Sequence, residues 1–301
     1  TEETVAGEPA PGLVDGIVDR HRGPCPAVVL AIGGGSVIDA GKAVSAMLTV
    51  EGSVVRCLEG VGDREHPGTK IPCIAVPTTA GTGSEATKNA VLSRPGKDGF
   101  KKSLRHDNFV PEIALVDPEL AAGTPPEVSA ACGMDAFTQL LESFVSVKAT
   151  PPTDALAASG MAAMAPNMIA ACLEDAAEAR AALAYGALLS GITLANAGLG
   201  VVHGLAGALG GLFPVPHGVA CGTLLAEATA RTIALLRAAG PEGQAGLDKY
   251  AAAGRLFAGH ASLDTVSACD LLVEKLFAWS EALGMPRFGK YGITEQDVPA
   301  I

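Results

Sequence analysis

The sequence is poor in aromatic and in basic residues. Aromatic residues make up 4% of the 301-residue chain, and 21 Lys and Arg stand against 32 Asp and Glu, which gives a formal net charge of −11. A nucleic-acid-binding surface needs clustered basic side chains for phosphate contacts, and the sequence contains no basic run. We therefore expect no nucleic acid among the partners.

Paired cysteine motifs are missing as well. The seven cysteines are scattered, and none belongs to a CxxC pair. This pattern argues against a disulfide framework and against zinc-finger spacing, and it favours reduced thiols. The first residues, TEETVAGEPAPG, lack the basic start and the apolar run of a secretory signal, so we predict a cytoplasmic protein.

Charge is absent from one long stretch. Residues 181–226 contain no Asp, Glu, Lys or Arg, but they include His203 and His217. The stretch is long enough to span a bilayer. It is interrupted by Asn196, by many glycines and by two prolines, and no aromatic belt or Lys/Arg asymmetry flanks it. We interpret it as a buried helix of a helical domain and expect no membrane partner.

The first third of the chain alternates between strand and helix patterns. Short apolar runs at residues 27–35, 71–79 and 111–120 are typical of buried parallel strands, and a helical pattern follows the first of them. The turn-rich residues 93–109 predict a hairpin or an exposed loop. Ala- and Leu-rich helical stretches follow to the end. The prediction is an α/β nucleotide-binding domain with a parallel sheet (residues 1–121) and an all-helical domain (residues 122–301).

Two loops that follow strands have the composition of ligand-binding loops. IGGGSVIDAGKA puts three glycines between a strand and a helix, where the backbone and the helix N-terminus favour a phosphate group, although neither the GxGxxG nor the Walker pattern is present. PTTAGTGSEAT combines hydroxyl side chains with glycines. A plain glycine turn and a helix-capping turn are the alternative interpretations. At the carboxyl ends of neighbouring strands, the two loops together would form a nucleotide crevice.

A third pattern points to a metal. Asp135 and Gln139 are four residues apart in GMDAFTQLLESF and so share a helix face. With His203 and His217, Asp135 would supply oxygen and nitrogen ligands to a divalent ion. Each residue also has a simpler explanation: a carboxylate at a helix start, a core histidine and a turn histidine. Buried histidines in an uncharged segment nevertheless need polar partners, and a metal would serve both.

The order and spacing of GGGSVIDAGKA, PTTAGTGSEAT, LVDPEL, GMDAFTQLLE and the two-histidine segment resemble the iron-containing (group III) alcohol dehydrogenase family. The resemblance covers roughly residues 28–225. It implies a dehydroquinate synthase-like architecture with the active site between the two domains. It also implies these cofactor-binding residues: Gly33, Gly34, Gly35 and Ser36 at the pyrophosphate, Thr78, Thr79 and Thr82 towards the nicotinamide, and also Asp39 and Lys102.

The resemblance further implies that Asp135, His203 and His217 are catalytic metal ligands, with iron or zinc as the metal. The chain departs from the family pattern at two positions. Gln139 stands where the family has its fourth ligand, a histidine, and Gly207 stands where many members carry another histidine. Gln139 is therefore interpreted as a weak ligand or as a residue that hydrogen-bonds behind the ligands. The glycine motif also comes early in the sequence, so we expect the usual first strands of the nucleotide domain to be lacking.

The expected function is an NAD(P)-dependent oxidoreductase that interconverts an alcohol and an aldehyde or ketone, with a metal polarising the substrate oxygen. We expect a homo-oligomer, taken as a dimer. Three alternatives remain: a metal-independent reductase resembling maleylacetate reductase, a dehydroquinate synthase-type lyase, and a remnant that only binds. The lyase would need basic residues for a phosphorylated substrate, and between residues 135 and 226 only Lys148 and Arg180 are basic.

Overall fold

The structure is a computed structural model that describes residues 1–96, 99–259 and 262–301. The strands all lie before residue 115: β1 (Val29–Gly33), β2 (Cys73–Pro77), β3 (Asn89–Arg94), β4 (Phe100–Arg105) and β5 (Ile113–Ala114). The helices lie mostly after it: α1 (Pro11–His21), α2 (Gly35–Met47), α3 (Pro126–Val145), α4 (Pro151–Met164), α5 (Met168–Leu173), α6 (Ala177–Ala197), α7 (Val201–Leu212), α8 (His217–Ala238), α9 (Gln244–Ala258) and α10 (Thr265–Ala282).

A three-stranded parallel sheet organises the first part of the chain. Its strand order is β1-β2-β5, and the register pairs Gly33 with Pro77 at the ends of β1 and β2. The glycine-rich and threonine-rich loops therefore leave the sheet side by side. The predicted parallel sheet and the helical second part are confirmed, although β5 is only two residues long.

Strands β3 and β4 form a separate antiparallel hairpin. Residues 97–98, between these strands in the sequence, lie outside the described residues. Leu92 and Leu104 of the hairpin pack into a hydrophobic core with α1 and α2. The hairpin predicted for residues 93–109 is thus present, and it begins earlier than predicted, at Asn89.

Helix α3 is the central element of the second part. It packs against α4, α6 and α8, and most of its length from Ala130 to Phe144 is buried. The surrounding core contains the aromatic contact between Phe137 and Trp279, whose ring centroids are 4.9 Å apart. A helix surrounded on all sides in this way can hold polar side chains at fixed positions.

The uncharged segment forms most of α6, all of α7 and the start of α8, and is therefore more than the one helix predicted. Helices α6 and α7 meet at an angle of 97°. Within the described residues, α8 is long and apolar enough to cross a membrane, and α6 with α7 passes the same test only as a bent pair. A core helix meets these criteria too, and α8 packs against α3 and α7.

Candidate metal centre and cofactor cleft

Three helices bring four potential metal ligands together. Asp135 lies in the middle of α3, His203 in the first turn of α7, and His217 at the first residue of α8. Cys221 follows His217 by one helical turn. One ligand atom from each of these four residues lies within 4.8 Å of the other three. The sequence predicts the aspartate and both histidines as ligands, but not the cysteine.

His203 lies between two carboxylates. Its Nδ1 donates a hydrogen bond to Glu142 Oε2 over 2.7 Å, and its Nε2 is 3.3 Å from Asp135 Oδ1. Glu142 also accepts hydrogen bonds from the backbone N–H of Val202, at 2.6 Å, and from that of His203, at 3.4 Å. The carboxylate thus caps the N-terminus of α7, whose own N-cap residue, Gly200, supplies no side chain.

The close contacts shift the pKa values of the cluster in opposite directions. For Asp135, burial favours the neutral acid, but the His217 charge and the His203 hydrogen bond outweigh it and lower the pKa to about 2. His203 is also buried, yet the neighbouring sulfur of Cys221 and the hydrogen bonds to Asp135 and Glu142 raise its pKa well above the usual value. Burial lowers the pKa of His217 to about 4.

The ligand set fits a divalent cation. In a neutral His203 whose Nδ1–H donates a hydrogen bond to Glu142, Nε2 carries no proton, and its lone pair points towards the oxygen of Asp135. Two acceptors at 3.3 Å repel each other unless a proton or a cation lies between them. His217 Nε2 is 3.8 Å from the same oxygen, too far for a hydrogen bond but suitable for a shared ion. Asp135, His203 and His217 would hold such an ion.

Gln139 lies one turn after Asp135, as its spacing predicts, and it is only 2% exposed. Its Oε1 accepts a hydrogen bond from the Ser190 hydroxyl over 2.7 Å. The carbonyl oxygen that was expected to be a weak metal ligand thus accepts a hydrogen bond from α6.

The two loops beside the sheet interlock. A Cβ atom on Gly34 would lie 3.4 Å from Thr79 Oγ1, and one on Gly35 would lie 2.5 Å from Thr82 Oγ1. Gly33 is equally restricted, because its Cβ would lie 2.5 Å from Val37 Cγ2. The glycines therefore leave the N-terminus of α2 open on one side while the threonine loop closes the other. The crevice expected from the sequence forms here.

Asp39 and Lys42 of α2 join this helix to the threonine loop and to the neighbouring hairpin. Lys42 is buried and forms an ion pair with Asp39 over 3.3 Å, and it donates a hydrogen bond to the Ser84 carbonyl over 2.8 Å. Asp39 accepts hydrogen bonds from the Ser84 hydroxyl and from the backbone N–H of Val91. Burial lowers the pKa of Lys42, an effect that Asp39 opposes. Asp39 thus ties α2 to the threonine loop and to β3.

A single cleft of about 300 Å³ joins the crevice to the histidine cluster. Predicted residues from both places line it: Gly35, Ser36, Asp39, Thr82, Gln139, His203 and His217. Thr78 is fixed through its backbone N–H, which donates to the Gly33 carbonyl over 3.0 Å. Cofactor loops and candidate metal ligands therefore open into one space.

Lys102 does not line this cleft. It shares a face of β4 with Phe100 and Leu104, which pack into the core, and its own side chain is exposed. Alternation along the strand puts Lys101 and Ser103 on the cleft side instead. The lysine beside the cleft is Lys101, which corrects the assignment of Lys102.

Sequence reasoning missed three residues at the site: Cys221, Glu142 and Lys101. Spacing contained a signal for two of them. Cys221 is four residues after His217, and Glu142 is seven after Asp135, so each pair shares a helix face. For Lys101, only the register of the hairpin decides which of two adjacent lysines faces the cleft.

Family models match nearly the whole chain. The model described as iron-containing alcohol dehydrogenase matches residues 2–118, and that of the C-terminal region of the Fe-containing alcohol dehydrogenase family matches residues 129–301.

Individual relatives agree with the family models. The chain is 33% identical over 287 residues to the 1,3-propanediol dehydrogenase of Citrobacter freundii, a match that covers 95% of this chain and 70% of that protein. It is 38% identical over 199 residues to long-chain-alcohol dehydrogenase 1 of Geobacillus thermodenitrificans, covering 66% of this chain and 50% of that protein. The chain thus spans half to about 70% of the length of these curated relatives.

Solved structures share the fold. The crystal structure of a 1,3-propanediol oxidoreductase superposes with a TM-score of 0.85 at 31% identity, covering 98% of this chain and 74% of that one. Sulfoacetaldehyde reductase from Bifidobacterium kashiwanohense in complex with NAD⁺ gives a TM-score of 0.81 at 27% identity, covering 98% and 73%. Since both parts of the sequence match the family's own models and the fold agrees, the chain belongs to the iron-containing alcohol dehydrogenase family.

Proposed function

We propose that the protein transfers hydride between a nicotinamide cofactor and a small alcohol or aldehyde in this cleft. The observation that carries the proposal is that the glycine and threonine loops and the two histidines of the cluster, His203 and His217, line the same space. Hydride transfer needs the nicotinamide and the substrate oxygen side by side, and one cleft with both kinds of site meets that need.

The residues of the chain divide the work. The N-terminus of α2, at Gly35 and Ser36, binds the cofactor pyrophosphate through free N–H groups and the helix dipole. Thr79 and Thr82 place the nicotinamide end above the threonine loop. Glu142 holds the His203 ring so that Nε2 points into the cleft. Gly207 lines the cleft without a side chain and so leaves room for substrate.

A divalent ion held by Asp135, His203 and His217 would polarise the substrate oxygen and stabilise the charge it gains or loses during hydride transfer. Glu142 accepts a hydrogen bond from the Nδ1–H of His203. This hydrogen bond raises the basicity of Nε2 and so makes His203 a stronger ligand. Iron and zinc are the candidates for this ion.

We propose NAD(H) as the cofactor, with NADP(H) as the alternative to be tested. The support is that relatives of this chain include an NAD-dependent methanol dehydrogenase from Bacillus methanolicus and the NAD⁺ complex named above. The cleft of about 300 Å³ and the names of two relatives, a 1,3-propanediol dehydrogenase and a 1-propanol dehydrogenase, support small linear substrates. A long-chain alcohol, as in the name of the Geobacillus relative, is the alternative to be tested.

We also propose a cytoplasmic homo-oligomer that acts without a membrane or nucleic-acid partner. All seven cysteines are free, as expected in a reducing compartment. Leu30 and Ile32 of β1 are more than half exposed, which leaves apolar surface for a further contact. Light scattering of the purified protein measures the oligomeric state, and a monomer at all concentrations contradicts that part of the proposal.

The activity test uses the protein reloaded with Fe²⁺ or Zn²⁺ after chelation, with propionaldehyde and either NADH or NADPH. We expect NADH oxidation that depends on the metal and is lost in His203→Ala, while the remote core variant Cys172→Ala keeps it. Inactivity with both metals and both cofactors contradicts the function. Activity that survives chelation but is lost in His203→Ala contradicts the metal role and supports a metal-independent reductase.

A further inference from the structure

We propose that Cys221 is the fourth protein ligand of the metal centre, in place of Gln139, and that its sulfur makes the site favour zinc over iron. The proposal deepens the function given above and rests on the metal centre of that function. It follows from the position of Cys221 among Asp135, His203 and His217.

The spacing of the ligand atoms fits tetrahedral zinc. With Zn–N and Zn–O bonds of about 2.0 Å and a Zn–S bond of about 2.3 Å, neighbouring ligand atoms lie about 3.3–3.6 Å apart. Cys221 Sγ is 3.8 Å from His217 Nε2, and Asp135 Oδ1 is 3.3 Å from His203 Nε2. These two pairs lie within a few tenths of an ångström of that spacing, and all four ligand atoms lie within 4.8 Å of one another, so the site holds the ion after a modest contraction.

The surroundings of the thiol argue against a simple core-filling role. Cys221 is fully buried, but its sulfur faces the ring nitrogen of His217 and lies within 4.8 Å of the ligand atoms of Asp135 and His203. Because His217 and Cys221 are four residues apart on α8, one face of one helix presents both ligands. Gln139, in contrast, is held by Ser190.

The chemistry of the sulfur decides the metal. On binding, the thiol gives its proton to solvent and the thiolate forms the bond to the ion. A thiolate with two imidazoles suits zinc, and zinc binds such sites more tightly than ferrous iron. Four protein ligands fill a tetrahedron, so substrate would enter as a fifth ligand, a coordination number that zinc can reach during catalysis.

The test uses Co²⁺ as a spectroscopic substitute for zinc in the full chain. The parent should show a near-ultraviolet sulfur-to-cobalt charge-transfer band together with visible d–d bands. Cys221→Ser should keep the d–d bands, lose the charge-transfer band and bind Co²⁺ at least about tenfold more weakly, roughly 1.4 kcal/mol. The buried control Cys172→Ala should match the parent.

A competition between Zn²⁺ and Fe²⁺ gives a second readout. The parent should bind Zn²⁺ more tightly than Fe²⁺. Cys221→Ser should lower the ratio of the Zn²⁺ affinity to the Fe²⁺ affinity, and Gln139→Ala should leave that ratio unchanged. Intact d–d bands without a charge-transfer band in the parent, or a zinc preference unaltered in Cys221→Ser, overturn this proposal and leave the metal centre standing. A parent that binds no Co²⁺ overturns both.

Discussion

Glu142 offers the sharpest perturbation of the site, because it touches the ligand His203 without being placed to touch metal or substrate. Its carboxylate is only 8% exposed and accepts from His203 Nδ1 and from the Val202 N–H over 2.7 and 2.6 Å. Charge-assisted hydrogen bonds contribute about 1.5–3 kcal/mol each. Glu142→Ala removes both, and we expect it to destabilise the metal-free protein by about 3–5 kcal/mol.

The same substitution should weaken metal binding. A histidine that loses the acceptor of its other ring nitrogen is no longer fixed in orientation, which typically lowers metal affinity about 10–100-fold. Glu142→Gln keeps an acceptor oxygen but loses the charge, so we expect it to fall between the parent and Glu142→Ala.

The assays are urea unfolding of the metal-free proteins and titration with Zn²⁺ against a competing chelator. NAD(H) affinity serves as the control and should stay constant, since Glu142 hydrogen-bonds to α7 and not to residues that we assign to the cofactor. If Glu142→Ala binds Zn²⁺ as tightly as the parent, the carboxylate is only a helix cap and the reasoning about His203 is refuted.

Three further predictions concern the cofactor side and the core. Gly35→Val should lower NADH affinity at least about tenfold, because its Cβ would lie 2.5 Å from Thr82 Oγ1. The control Gly204→Ala, whose Cβ would meet nothing within 4 Å, should keep the NADH affinity of the parent and stabilise α7 by up to about 1 kcal/mol. Equal NADH affinities of Gly35→Val and the parent in fluorescence titrations contradict the expected role of the glycine loop. Lys101→Ala should weaken NADH binding more than Lys102→Ala, and the reverse order in the same titration contradicts the strand register. Burial raises the pKa of Glu85, so its contribution to stability is most favourable below the pKa of the unfolded chain and is lost as pH rises through the pKa of the folded protein. The free energy of unfolding of Glu85→Gln should therefore rise relative to that of the parent between about pH 4 and about pH 7. The rise should be about 1.4 kcal/mol for each tenfold difference in proton affinity of Glu85 between the folded and unfolded chains. A difference in the free energy of urea unfolding that does not depend on pH refutes this expectation.

The loops around the sheet could be predicted because their signals are local. Three glycines after an apolar run, and threonines after the next one, specify the ends of β1 and β2 and the start of α2 without reference to the rest of the chain. The sequence signal that places Asp135 on a helix is equally local. The family resemblance then supplied what spacing alone left open, namely the two histidines as partners of Asp135.

The remaining features depend on contacts between distant segments. Glu142 caps a helix that begins about 60 residues later in the chain, and no local pattern links the two. Ser190 engages Gln139 only because α6 packs against α3. The break between α6 and α7 divides an apolar stretch that is continuous in the sequence. The spacing of Cys221 from His217 was visible, but a cysteine in an apolar helix is more often core filler.

The distance between bound NAD⁺ and the metal ion shows directly whether the metal centre and the cofactor loops form one active site. High-spin Co²⁺ broadens the NMR signals of nearby protons, so NAD⁺ in rapid exchange with the Co²⁺-loaded protein reports its distance from the ion. If the two form one site, the nicotinamide protons broaden more than the adenine protons, and His203→Ala, which still carries the cofactor loops, abolishes the difference. Equal broadening at both ends of NAD⁺, or broadening that His203→Ala leaves unchanged, contradicts the claim of one active site.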